Sequence, residues 1–131
     1  MSTQQKKMNR KPVRVFIDGA GMSGMDGKGS GYAWLREDTG ERFVKRYPGL
    51  TNNQAEYEAF IAALEALPSK TKAEILSDSQ LLVNQFRGLW AVRDVELARL
   101  LDYAHKTVRR KGLEVELKWI PRKENRAGRL I

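Results

Sequence analysis

AEILSDSQLLVNQFRG (73–88) changes from one kind of secondary structure to another partway along. Residues 73–78 are short, apolar and end in a carboxylate, which reads as a strand. Residues 79–88 read as a short helix that Gly88 stops. A strand running straight into a helix is the repeating unit of a sheet covered by helices. Asp78 falls at the junction. In open sheets of this kind, ligand sites form at the carboxyl ends of strands.

The stretches on either side extend the pattern. VRVFID (13–18) is rich in β-branched residues and reads as a central strand ending in Asp18. GAGMSGMDGKGSG (19–31) is too glycine-rich to be anything but a loop. YAWLRED (32–38) and ERFVKRY (41–47) flank Thr39-Gly40 and read as an antiparallel hairpin. LTNNQAEYEAFIAALEALP (50–68) is the clearest helix, with Thr51 or Asn52 as cap and Pro68 at its end. Its apolar face is Ala55, Phe60, Ala63, Leu64 and Leu67. A second long helix runs from Val92 to Lys111, with Leu97, Leu100, Leu101, Ala104 and Val108 on one stripe and Gly112 as its stop. LEVELKWIP (113–121) is a strand by alternation, and ENRAGRLI (124–131) is expected to open a last helix. The expected fold class is α/β, a mixed sheet covered by helices.

Composition narrows the function classes. The chain has 131 residues, which suggests one domain over 13–131 behind a flexible basic tail over 1–12. There are no cysteines, so disulfides and thiolate metal sites are excluded. The N-terminus lacks the apolar core of a secretory signal, and no stretch approaches the length of a membrane span. A cytoplasmic protein without a membrane partner is expected. The net charge is +8, from 24 Lys and Arg against 16 Asp and Glu. That balance favours polyanionic partners, because basic groups on phosphates release condensed counterions.

Three carboxylates carry the chemistry. Asp18 and Asp78 end strands, and Glu56 lies one turn into the 50–68 helix behind the polar run Thr51-Asn52-Asn53-Gln54. Hard oxygen ligands converging from separate elements suit Mg²⁺ or Mn²⁺. A pair of such ions about 4 Å apart can hold a phosphate and activate water. The single His105 sits mid-helix and there is no thiol, so nucleophilic-triad chemistry has no support. Each carboxylate alone has an ordinary reading, as a turn former, a cap or a solvated helix residue. The three together, in these flanks, point to a site.

FIDGA (16–20), TNNQAEYEAFIAAL (51–64) and SDSQLLVNQFRG (77–88) resemble, in order and spacing, three motifs of type 1 ribonuclease H, and WIPRKEN (119–125) resembles a fourth segment. The form is closest to the compact archaeal and bacterial branch without a basic handle. The resemblance implies a ribonuclease H-like fold with a five-stranded mixed sheet. It also implies metal-dependent endonucleolytic hydrolysis of RNA paired with DNA, leaving 5′-phosphate and 3′-hydroxyl ends. On the matching positions, Asp18 would bridge two ions, and Glu56 and Asp78 would complete one of them. Gly19, Asn52, Asn53, Ser79 and Gln80 would lie along the substrate, with the amide residues reading the RNA strand. Thr51 would help to bind a DNA phosphate, although the family's Arg two residues earlier is Gly49 here. Trp90 resembles aromatics near the DNA strand, and a core Trp is an equal reading. Arg93, Arg109, Arg110 and Lys111 are candidate phosphate contacts or a solvated basic face. Double-stranded RNA is a second candidate partner, and a monomer is expected.

The fourth motif departs from the pattern. The family's Asn-x-x-Ala-Asp-x-Leu is Asn125-Arg126-Ala127-Gly128-Arg129-Leu130 here. Anchoring on Ala127 and Leu130 puts Gly128 at the carboxylate position, and anchoring on Asn125 puts Arg129 there. Three arrangements fit. Asn125 or water fills the gap, Glu124 swings in, or the chain is a weakened hybrid- or double-stranded-RNA-binding module. A junction resolvase or integrase core would share the fold, but the TNNQAE and SDSQ blocks disfavour it.

Overall fold

The computed structural model describes residues 11–21 and 29–131. The tail expected over 1–12 and the glycine loop expected over 19–31 lie largely outside the described residues, and the loop is shorter than expected, because Gly19 and Ala20 belong to the first strand and Gly31 to the second. Five strands form one sheet in the order β3-β2-β1-β4-β5. They are β1 (Val13–Ala20), β2 (Gly31–Arg36), β3 (Arg42–Arg46), β4 (Lys72–Ser77) and β5 (Glu114–Trp119). β1, β2 and β3 pair antiparallel, whereas β1-β4 and β4-β5 are parallel. The mixed sheet is therefore as the sequence predicts.

Three helices fill the connections: α1 (Asn52–Ala66), α2 (Gln80–Phe86) and α3 (Val95–Lys111). α1 starts where expected because Thr51 and Gln54 form a reciprocal capping box. α3 starts three residues later than the apolar pattern suggests, because the Asp94 carboxylate caps it through the Leu97 N–H at 2.9 Å. It ends at Gly112, whose φ of 64° lies in the left-handed region that glycine enters at little cost.

The main core lies between the sheet and the helices. Val15, Ile17, Ala73, Ile75 and Leu117 from the strands meet Tyr57, Phe60 and Leu64 of α1, Leu82 of α2, and Leu97, Leu100 and Ala104 of α3. A smaller cluster on the opposite face joins Phe16, Leu35 and Leu76 to Ala127, with Ile120 and Leu130 packed against it.

The final helix expected from ENRAGRLI is not formed. Two short 3₁₀ turns, Arg122–Glu124 and Arg126–Leu130, stand there instead. Gly128 sits inside the segment and costs about 1 kcal/mol against Ala in an α-helix. The Asn125 side chain accepts the Ala127 N–H and so closes the tighter turn.

Candidate active site

Strand pairing brings two carboxylates together. β1 and β4 are adjacent and parallel, with Phe16 opposite Leu76. Two residues further along, on the same face, come Asp18 and Asp78. Glu56 arrives from α1. The approach of helix to strand depends on Gly19, because a Cβ there would lie 2.3 Å from the Ala55 carbonyl carbon. The Gly19 N–H donates to Glu56 Oε1 at 2.9 Å and fixes the carboxylate. One ligand atom from each of Asp18, Glu56 and Asp78 lies within 4.8 Å of the others.

Such a cluster cannot hold three negative charges unaided. Burial, followed by the charge of Asp78, pushes the Asp18 carboxyl up to about 7. Burial, followed by the charges of Asp18 and Asp78, pushes Glu56 up to about 9. The Gly19 N–H and the Arg122 guanidinium oppose both shifts without cancelling them. A small divalent cation relieves the repulsion, and the donor set of hard carboxylate oxygens fits one. The cluster opens into a cleft of about 680 Å³, whose lining includes Asn52, Arg122, Lys123, Gly128 and Arg129.

The fourth segment is resolved by the same geometry. A Cβ on Gly128 would lie 3.3 Å from Asp18 Oδ2, so position 128 faces the cluster. The register anchored on Ala127 and Leu130 is the structural one. Glu124 is exposed and does not line the cleft. Asn125 is buried, and its Nδ2 donates to Ile17 O at 2.8 Å and to Asp78 Oδ2 at 3.0 Å. Its Oδ1 accepts the Ala127 N–H. A carbonyl can only accept and an N–H can only donate, so this amide orientation is forced. The oxygen expected to fill the gap accepts one N–H in its own turn. The amide nitrogen clamps Asp78 against β1.

The other expected residues are placed as follows. Asn52 accepts the Gly21 N–H at 2.7 Å, which ties the start of the glycine loop to α1. Thr51 Oγ1 accepts the Gln54 N–H, and its own hydroxyl proton is not used by the cap. Asn53 and Gln80 are exposed. Ser79 caps α2 through the Leu82 N–H. Trp90 is 47% exposed, which removes the core reading. Lys111 is not free for phosphate: its Nζ donates to Leu64 O and Glu65 O at the end of α1. Sequence reasoning missed Trp119, whose indole N–H holds the Asp78 backbone oxygen at 3.1 Å. The pairing of Ser77 with Trp119 across β4 and β5 is the feature that reveals it.

A family model described as RNase H matches residues 10–126, which include all three carboxylates. The chain belongs to the RNase H family. The ribonuclease H of Chlorobaculum parvum is 37% identical over 105 residues, covering 79% of this chain and 67% of that protein. The ribonuclease H of Chlorobium luteolum is 39% identical over 85 residues, covering 64% of this chain and 58% of that protein. The chain thus spans about three fifths to two thirds of these relatives' length. Among solved structures, RNase H1 of Halobacterium salinarum is 31% identical with a TM-score of 0.77, covering 92% of this chain and 94% of that one. LC11-RNase H1, solved in complex with an RNA/DNA hybrid, is 25% identical with a TM-score of 0.79, covering 90% and 92%. Among the described residues, no helix of this RNase H domain is long and apolar enough to cross a membrane.

Proposed function

We propose that the chain is a metal-dependent endoribonuclease that hydrolyses the RNA strand of RNA/DNA hybrids, leaving 5′-phosphate and 3′-hydroxyl ends. The observation that carries this reading is the convergence of Asp18, Glu56 and Asp78 within 4.8 Å, in a member of the RNase H family. Mg²⁺ or Mn²⁺, two ions per site, would be held by these three residues, with Asp18 shared between them. Bound there, the ions supply positive charge at the scissile phosphate and make a water molecule more acidic. The side chains do the rest. Asn125 and Trp119 keep Asp78 in place, and the Gly19 N–H orients Glu56. Arg122, Lys123 and Arg129 line the cleft where a phosphate backbone would enter. Gly19, Asn52, Asn53, Ser79 and Gln80 serve the RNA strand, while Thr51 and Trp90 serve the DNA strand. Because Gly128 supplies no carboxylate beside Asp18, a second ion would be held more weakly than the first, and Mn²⁺ would support activity better than Mg²⁺. The protein acts as a cytoplasmic monomer, with double-stranded RNA as a second candidate partner.

The test incubates a labelled RNA/DNA hybrid, a double-stranded RNA and a DNA duplex with Mg²⁺ or Mn²⁺. Cleavage of the hybrid's RNA strand is expected, and Asp18→Asn abolishes it while hybrid binding persists. Tight binding without cleavage under either metal would make the chain a binding module. Cleavage of the DNA duplex alone would remove it from ribonuclease activity altogether.

A further inference from the structure

Tyr57 follows Glu56 on α1 and is fully buried, yet its hydroxyl is not idle. It donates to Gln85 Oε1 at 2.6 Å. Gln85, on α2, is 6% exposed, and its Nε2 donates to Ala91 O at 3.1 Å. The direction is forced, because Ala91 O can only accept, so the amide nitrogen must face it and the amide oxygen must face Tyr57. The relay joins the helix bearing Glu56 to the segment between α2 and α3.

That segment is held in an unfavourable pose. Gly88 turns the chain at a φ of 79°. The Leu89 and Trp90 N–H groups both donate to Asn84 O, at 2.8 and 3.1 Å. Asn84 Nδ2 in turn donates to Gln80 O at 2.8 Å. The result is that Leu89 is 65% exposed and Trp90 47% exposed. A free loop would fold such side chains against the protein. Here one end is tied to Asn84 and the other, through Ala91, to the core. The seven-residue α2 spans about 10 Å and separates Asp78 from the tip.

We propose that Gln85, oriented by Tyr57, is a positioning residue that holds the Leu89-Trp90 tip out as a rigid apolar prong against the nucleic-acid backbone. It fixes the height of that prong relative to the Glu56 helix. The inference rests on the reading of Trp90 as a nucleic-acid contact. Arg87 and Arg93 are exposed on either side of the tip and supply charge for phosphates. The relay works by preorganisation: a tip already ordered loses less freedom when it meets the duplex.

The experiment compares wild type with Gln85→Leu and Trp90→Ala, singly and together. Gln85→Leu raises KM for the hybrid about tenfold, with kcat held within about twofold. Hydrogen exchange at the Leu89 and Trp90 amides accelerates in Gln85→Leu. Trp90→Ala raises KM similarly, and the double variant is no worse than either single one. Unchanged KM and unchanged tip exchange in Gln85→Leu would reduce the relay to a packing contact and overturn the proposal. So would effects on KM that multiply. Should Gln85→Leu fail to fold, Tyr57→Phe keeps the packing and frees the amide. Its tip exchange must then rise. The exchange measurement needs no turnover, and binding can be read in an Asp18→Asn background. Failure of the relay is therefore distinguishable from absence of hybrid cleavage.

Discussion

At the scale of single residues, the site is defined by one gap and one clamp. Gly128 faces Asp18, so Gly128→Asp places a carboxylate at the cluster, whereas Asn125→Asp places one against Ile17 O and Asp78. We expect Gly128→Asp to tighten Mn²⁺ and Mg²⁺ binding by about tenfold in titration calorimetry, the lower end of what metal-site neighbours contribute. Asn125→Asp should weaken metal binding and lower the melting temperature, because it buries an unpaired charge. Equal effects from the two variants would mean that the segment is wrongly registered. The raised carboxyls also give a pH signature. A group whose folded pKa exceeds its unfolded value binds extra protons in the native state, so stability falls as pH rises between the two values. For Glu56 that window runs from about 4.5 to about 9, and for Asp18 from about 3.8 to about 7. The metal-free protein should melt lower at pH 9 than at pH 5, and Glu56→Gln should show a flatter profile and exceed wild type at the alkaline end. Thermal melts in chelator across that range check both.

At the scale of elements, the sequence revealed what depends on local pattern and hid what depends on long-range partners. The strands that carry Asp18 and lead into Asp78 were legible, as was the helix over TNNQAEYEAF, because apolar periodicity and capping residues act within a turn or two; the strand ends were not, since β1 runs on to Ala20 and β4 stops at Ser77. That Gly19 serves the contact with α1 was not, since its need for a bare Cα appears only when Ala55 is brought beside it. The last helix was overestimated. A helical pattern in ENRAGRLI reads plausibly until Gly128 and the competing Asn125 cap are weighed together. Lys111 reads from the sequence as either a phosphate contact or part of a solvated basic face, whereas its ammonium caps two carbonyls of α1. Lys111→Met keeps the stem and removes that cap. It should cost about 1–3 kcal/mol in urea denaturation and leave the salt dependence of hybrid binding unchanged. A reduced salt slope would return Lys111 to the nucleic-acid surface.

At the scale of the whole molecule, the sheet order sets both where the site stands and when it can exist. Asp18 and Asp78 lie beyond the β1-β4 pairing, and the Arg14-Glu74 contact across those strands joins residues 60 positions apart. Parallel pairing over such a separation is slow to form, because the intervening chain must be closed before any contact repays it. The hairpin of β2 and β3 closes locally, but it holds none of the three carboxylates. A chain whose β4 has not docked therefore has no chelating cluster to offer. Divalent cations should accordingly act late on the folding coordinate: in stopped-flow chevrons, Mg²⁺ should slow the unfolding arm and leave the folding arm nearly unchanged. An accelerated folding arm would mean that the carboxylates already meet in the transition state. On this reading the catalytic cluster doubles as a latch, so that a chain released from synthesis gains kinetic persistence from the cations around it only once its central strands have met.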